Sequence, residues 1–165
     1  MGAIFSQNGA AMQSEQNALL GGKAFLEACS TGDLPTIETM LEDGLDVNQR
    51  GKHQMSGLTF AVIGQQNHVV GVLLRHASTS VNCTDRDRNS PLHWAAAVDN
   101  VGALDQLVGA PGLANLNSLN KGGDSPLMVA VGCGALGATR RLLTIHGVNK
   151  ETRNQRGMTL EQRAR

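Results

Sequence analysis

Aromatic residues are scarce in this chain of 165 residues, which has three phenylalanines, one tryptophan and no tyrosine. A β-sandwich usually draws on aromatic side chains, so their scarcity favours a helical architecture filled by Ala, Leu and Val. No apolar run is long enough to cross a membrane as a helix. Hydrophobic residues still make up 41% of the chain, which is enough for one folded domain with a substantial core.

Cysteine is scarce as well. Cys29, Cys83 and Cys133 are odd in number and far apart, and no CxxC motif occurs. This usage predicts reduced thiols in an intracellular compartment and no disulfide-linked partner.

The formal net charge is zero, which disfavours a nucleic-acid partner. The charges are nevertheless distributed unevenly along the chain. Residues 1–139 carry 7 Lys/Arg against 12 Asp/Glu, and residues 140–165 carry 7 against 2. Either these are two ordinary solvated ends, or the charged ends orient a partner during encounter.

Local motifs for catalysis and metal binding are absent. The chain has no GxSxG and no HExxH. His53, His68, His76 and His146 do not pair with another His or Cys at the spacing of zinc ligands. We therefore expect no enzymatic activity, no cofactor and no metal.

A hydroxyl residue recurs at a nearly fixed spacing. Ser56, Ser90, Ser125 and Thr159 lie 34, 35 and 34 residues apart. Proline directly follows Ser90 and Ser125, and a hydroxyl residue followed by proline is typical of a helix N-terminus. A period in this range predicts a stack of similar helical units.

The most complete unit reads DRDRNSPLHWAA over residues 85–96, and SPL returns at residues 125–127. This pattern resembles the ankyrin repeat, with its Thr-Pro-Leu-His opening and its two alanines. The resemblance covers residues 20–165 and implies an all-α ankyrin-repeat solenoid of helix-turn-helix units joined by β-turn loops. We predict a flexible segment at residues 1–19, repeats at about 20–50, 51–84, 85–119 and 120–153, and a partial C-terminal repeat at 154–165.

The resemblance also assigns roles within the third repeat. It implies that His93 is structural, with its ring hydrogen-bonded to neighbouring turns. Arg88 stands where the family places glycine, so it would carry strain if that position needs a positive φ. We expect Trp94 between adjacent inner helices, aligned with Phe60 and Val129, with core packing favoured over ligand contact.

Ankyrin repeats are interaction modules, so the resemblance implies a non-catalytic adaptor, scaffold or inhibitor that binds a protein or peptide in its concave groove. The mixture of basic, acidic and apolar groups suits a partner with acidic and apolar anchors. We predict that partner contacts come from turn positions and inner-helix ends that packing leaves free. These residues are Arg50, Lys52, His53, Met55, Arg86, Asp87, Asn89, Val98, Lys121, Asp124, Cys133, Arg153, Gln155 and Arg156.

The N-terminus matches a lipidation motif. The first six residues, MGAIFS, fit the pattern for N-myristoylation at Gly2. A single myristoyl chain gives only weak, reversible membrane association. We therefore expect a cytoplasmic protein, with two alternatives left open. One is a membrane-tethered regulator at a cytosolic membrane face that recruits a client, and the other is a structural fragment of a larger multidomain protein.

Overall fold

A computed structural model describes residues 20–113 and 115–164 of the chain. Within these residues the chain forms nine α-helices and no strand. In chain order the helices are α1 (20–31), α2 (Leu34–Glu42), α3 (Gly57–Ile63), α4 (Asn67–Arg75), α5 (Pro91–Ala97), α6 (Val101–Val108), α7 (Pro126–Cys133), α8 (Leu136–Thr144) and α9 (Leu160–Arg163). A short 3-10 turn, Lys52–Gln54, precedes α3.

The odd-numbered helices form an inner layer and the even-numbered helices an outer layer. In the inner layer α3 packs on α5, α5 on α7 and α7 on α9. In the outer layer α4 packs on α6 and α6 on α8. Fully buried alanines, among them Ala61, Ala95 and Ala130, let the inner helices approach closely. This arrangement confirms the predicted all-α solenoid.

Hydroxyl side chains fix where the inner helices begin. The side-chain oxygens of Ser56, Ser90, Ser125 and Thr159 each accept the backbone N–H of the residue three positions later. Proline occupies the first turn of α5 and α7, where a missing N–H costs nothing. The predicted helix starts are therefore confirmed at each of these positions.

The turns before α3, α5, α7 and α9 each contain a left-handed residue two positions ahead of the cap. The φ angles there are 62° at Gln54, 61° at Arg88, 75° at Gly123 and 72° at Gly157. Glycine adopts this conformation freely, whereas it costs other L-residues roughly 1–2 kcal/mol. The prediction that Arg88 occupies a strained glycine position is confirmed.

Backbone hydrogen bonds join each of these turns to the turn of the preceding unit. The N–H of Arg86 donates to the carbonyl of His53 at 2.8 Å. Lys121 donates in the same way to Asp87 at 2.8 Å, and Gln155 donates to Gly122 at 3.1 Å. The turns therefore form a ladder along one side of the stack.

A second left-handed position lies between the inner and outer helix of a unit. Glycine fills it at Gly32 and Gly134, whereas Gln65 fills it in the second unit with φ 57° and Asp99 in the third with φ 55°. The carboxylate of Asp99 accepts the backbone N–H groups of Gly137 and Ala138 at 3.3 and 2.6 Å. It thus caps α8, whose own N-cap residue supplies no side-chain hydrogen bond.

Candidate functional site

The inner helices present one equivalent side chain per unit along one side of the stack. Phe60, Trp94, Val129 and Arg163 each lie four residues after a hydroxyl cap, and Leu26 lies in the same phase of α1. Leu26 is buried, and the other four are half-buried. We call these five residues the groove stripe. It forms the floor of the candidate binding groove.

Trp94 belongs to this stripe and is aligned with Phe60 and Val129, as predicted. Core packing is only part of its role, because the ring packs on the core and also lines a groove pocket. Its indole N–H donates to the carboxylate of Asp85 at 2.9 Å, which fixes the orientation of the ring. Asp85 also accepts the backbone N–H groups of Asp87 and Asn89, so it ties the tryptophan to the turn.

The larger pocket of the groove lies at its N-terminal end and has a volume of about 660 Å³. Leu26, Met55 and Phe60 give it an apolar lining, and Leu20 stands at its edge. Gly51 brings the turn close to this lining, since a Cβ there would lie 2.6 Å from Leu26 Cδ1. A volume of this size is typical of ligand-binding pockets.

Charged side chains surround this N-terminal pocket. Lys23, Arg50 and Lys52 line it together with His53, and Glu27 is the one acidic group among the described lining residues. At neutral pH the rim is therefore predominantly basic. An apolar centre with a basic rim suits a ligand that carries an apolar anchor and a carboxylate.

The smaller pocket, of about 190 Å³, lies nearer the C-terminal end between Trp94 and Val129. Arg163 bounds it, and its guanidinium contacts the carboxylate of Asp124 at 2.9 Å. Arg163 also lies against α7, because a Cβ on Gly132 would come within 2.8 Å of Arg163 Nε. The arginine therefore fills space beside α7 at this end of the groove.

His93 sits behind the groove stripe and is almost fully buried. Its Nδ1 accepts the backbone N–H of Ser90 at 3.1 Å, so Nε2 carries the proton and donates to the carbonyl of Asp124 at 3.1 Å. Burial lowers the pKa of His93, since the interior disfavours the charged ring. Nδ1 is thus bonded within its own unit and Nε2 joins that unit to the next, which confirms the predicted structural role.

The predicted contact residues divide into groups. Arg50, Lys52, His53 and Met55 come together at the N-terminal pocket. The remaining exposed or half-exposed positions follow the later turns and inner-helix ends: Arg86, Asp87, Val98, Lys121, Cys133, Arg153, Gln155 and Arg156. Among these, Lys121 and Asp87 form an exposed ion pair at 3.8 Å.

Asp124 requires a correction, because the structure does not leave it free. It is only 7% exposed, and its carboxylate binds Arg163 and the side-chain amide of Asn154. Asn89 is likewise engaged, with Asp85 and Asn120. Both side chains hold turns together.

Two arginines at the predicted contact positions also bind turn carbonyls. Arg50 donates to the carbonyls of Gln54 and Thr84 at 3.0 and 2.8 Å, and Arg153 donates to that of Gly157 at 3.1 Å. Both remain exposed, so they brace the turns at the surface.

Sequence reasoning missed several lining residues. Lys23, Leu26 and Glu27 lie on α1, whereas the predicted contacts were confined to turns and inner-helix ends. The phase of the hydroxyl caps contained the missing signal, because counting back 34 residues from Phe60 leads to Leu26. The same count from Val129 leads forward to Arg163.

Gly2 lies outside the described residues, so the lipidation prediction is not tested by the structure. In the part of the chain that is described, no helix is long and apolar enough to cross a membrane. The same residues contain no group of three or more His, Cys, Asp or Glu side chains placed to hold a metal ion.

Comparison with known proteins identifies both a family and a relative. A family model described as ankyrin repeats in three copies matches residues 25–110, slightly more than half of the chain. A protein named NAD-dependent deacetylase sir2B, from Dictyostelium discoideum, is 27% identical over 81 residues, which are 49% of this chain and 10% of that protein. The chain therefore spans about a tenth of the length of this relative.

Proposed function

Because the chain belongs to the ankyrin-repeat family, whose members generally mediate protein–protein interaction, we propose that it is a non-catalytic adaptor, scaffold or inhibitor. In this proposal the concave groove holds a segment of another protein. The division into a tail and repeats with the boundaries given above remains part of the proposal.

The N-terminal pocket is the observation that supports groove binding. A leucine or phenylalanine side chain inserted between Leu26 and Phe60 would gain about 1.5–3 kcal/mol from burial. Carboxylates on flanking residues would face Lys23 and Lys52. Such exposed ion pairs contribute less than about 1 kcal/mol each, so they tune specificity and association rate more than affinity.

The proposal is tested by panning a phage library of random peptides against the protein and measuring the affinities of the selected peptides. We expect an apolar anchor next to acidic residues. Met55→Glu should weaken binding by about tenfold or more, since it places a charge in the pocket lining. Lys52→Glu should weaken binding less.

Lys121→Glu is the matched control for Lys52→Glu. Lys121 occupies the same position relative to its cap, four residues before Ser125, but it does not line the N-terminal pocket. It should leave the affinity unchanged for peptides that bind in the N-terminal pocket alone, whereas a longer partner could also reach Lys121, a predicted contact. If peptides bound wild type and Met55→Glu equally well, the pocket would not be the binding site.

We propose no catalytic role. The family is generally non-catalytic, and the deacetylase relative shares only a small part of its length with this chain. The groove also offers no free catalytic base at His93, because both ring nitrogens are hydrogen-bonded.

A second candidate function is that of a membrane-tethered version of the same adaptor in the cytoplasm. The N-myristoylation motif at Gly2 supports this candidate. The intact mass of protein from a eukaryotic source tests it. A myristoyl adduct with Met1 removed, absent from Gly2→Ala, would support tethering. An unmodified mass would leave an untethered adaptor.

A further inference from the structure

Helix α8, the last outer helix of the described residues, exposes apolar side chains on one face. Leu136 is 67% exposed and Leu143 is 40% exposed, and the exposed Arg140 lies between them. Residues at positions i, i+4 and i+7 share one side of a helix. We call these three residues the α8 edge.

In the two preceding units, α4 and α6, the equivalent face is covered by the next outer helix. On α4, a Cβ built on Gly71 would lie 2.9 Å from Gln106 of α6, and the carbonyl of Asn67 accepts the side-chain amide of Gln106 at 3.0 Å. On α6, Val101 Cγ2 lies 3.0 Å from the Cβ position of Gly137 in α8. Four residues further along α6, Asp105 forms an ion pair with Arg141.

The spacing of the caps places the α8 edge next in this series. Leu136 corresponds to Val101, Arg140 to Asp105 and Leu143 to Val108, each 35 residues earlier. Leu136 and Leu143 give the α8 edge the apolar character of an interface between units.

Charge indicates what fits this face. Asp105 receives an arginine from the next helix, but at the equivalent position α8 carries Arg140, so the charge is reversed. A covering helix must therefore bring a carboxylate there. A second copy is disfavoured, because residues 140–165 carry 7 basic groups against 2 acidic ones and would repel themselves.

We propose that the α8 edge is a second interaction surface, which binds an acidic amphipathic helix of another protein. The expected helix has a small residue over Leu136, as Gly137 lies over Val101, and Asp or Glu four residues later against Arg140. This surface belongs to the outer layer and is separate from the concave groove.

The experiment uses the whole chain and a fluorescent, lactam-bridged helical peptide of 18 residues. The peptide has apolar residues on one face, with Ala and then Glu four positions later at the centre of that face. Anisotropy titration should show that Arg140→Glu weakens binding by about three- to tenfold. Lys150→Glu is the matched control, since it makes the same change of charge at an exposed site outside α8, and it should change the affinity by less than twofold.

A charge swap makes the test specific. A peptide with Lys in place of the central Glu should bind Arg140→Glu better than it binds wild type. Met55→Glu, which blocks the proposed groove site, should leave the affinity for the acidic peptide unchanged. The experiment therefore tests the α8 edge independently of the proposed groove site.

Two outcomes would overturn the proposal. One is equal affinity of the acidic peptide for wild type and Arg140→Glu, including no binding to either. The other is self-association in sedimentation experiments that Leu136→Asp abolishes, because a second copy would then be the occupant of the α8 edge.

Discussion

Replacing Arg88 with glycine should stabilise the protein. Arg88 has φ 61°, and the equivalent positions Gly123 and Gly157 already carry glycine. Its side chain is exposed and makes no hydrogen bond or ion pair with the described residues. The substitution therefore removes strain without removing a contact.

The magnitude follows from two opposing effects. Relief of the left-handed conformation is worth roughly 1–2 kcal/mol. Glycine also loses more backbone entropy on folding, which costs about 0.5–1 kcal/mol. We expect a net increase of about 0.5–1 kcal/mol in the free energy of unfolding, equivalent to roughly 1–4 °C in Tm for a chain of this size.

Arg86→Gly is the matched control, because it changes the same residue type in the same turn. Arg86 is exposed and lies outside the left-handed region. Arg86→Gly therefore adds the entropy cost of glycine without relieving strain, and its free energy of unfolding should fall by about 0.5–1 kcal/mol.

Urea unfolding followed by Trp94 fluorescence suits the comparison, since the indole is bonded to Asp85 in the same turn. The dependence of the unfolding free energy on urea should be unchanged in both variants. If the two substitutions shifted the midpoint in the same direction, the argument from backbone conformation would be wrong.

Three further predictions concern buried polar groups and thiols. His93→Met introduces the residue that the fourth unit carries at the equivalent buried position, Met128, and it should cost about 2–3 kcal/mol by removing the hydrogen bonds to Ser90 and Asp124. Burial lowers the pKa of His93 from 6.5, so below pH 6.5 the unfolded chain takes up a proton at this residue more readily than the folded chain does. The free energy of unfolding of the wild type should therefore fall as the pH drops below 6.5, by up to about 1.4 kcal/mol per pH unit. Urea titrations at pH 5–7 should show a shallower fall in the His93→Met variant. Asn100→Ala should lower the free energy of unfolding by about 2 kcal/mol, measured by thermal or urea unfolding. The reason is that Asn100 caps α6 by accepting the N–H of Ala103 and donates to the carbonyl of Val62 in the preceding unit. An effect below about 0.5 kcal/mol would show that water replaces these bonds. An aromatic disulfide reagent at pH 8 should label Cys133 rapidly in the folded protein, whereas Cys29 and Cys83 are buried and the pKa of Cys29 is raised to about 12; rapid labelling of all three without denaturant would contradict the described core.

The periodic features of this fold could be predicted from the sequence. Helix starts depend on local chemistry, in which a hydroxyl cap binds an N–H three residues away, so Ser90 and Ser125 identify them directly. The strain at Arg88 could be predicted in the same way, because Arg88 lies two residues before its cap, where Gly123 stands before Ser125.

The groove could be predicted only in part, because its details depend on contacts that are not periodic. The burial of Asp124 results from Arg163, which lies 39 residues later where other units present an apolar side chain. Asp99 caps a helix of the next unit, and nothing in its local sequence indicates that role. Such pairs depend on side-chain length and direction across units, which a repeat pattern does not specify.

The ladder of turn hydrogen bonds has a consequence for how such a chain changes length. The donors at Arg86, Lys121 and Gln155 occupy one phase, and the acceptors occupy another. Because both groups belong to the main chain, the joint does not depend on which side chains stand there. Recombination between two genes, or within one, at the same phase would add or remove a whole unit and still bring a donor opposite an acceptor. The hydrogen bonds between turns are therefore retained whichever side chains are present, while the residues of the groove stripe can differ from unit to unit.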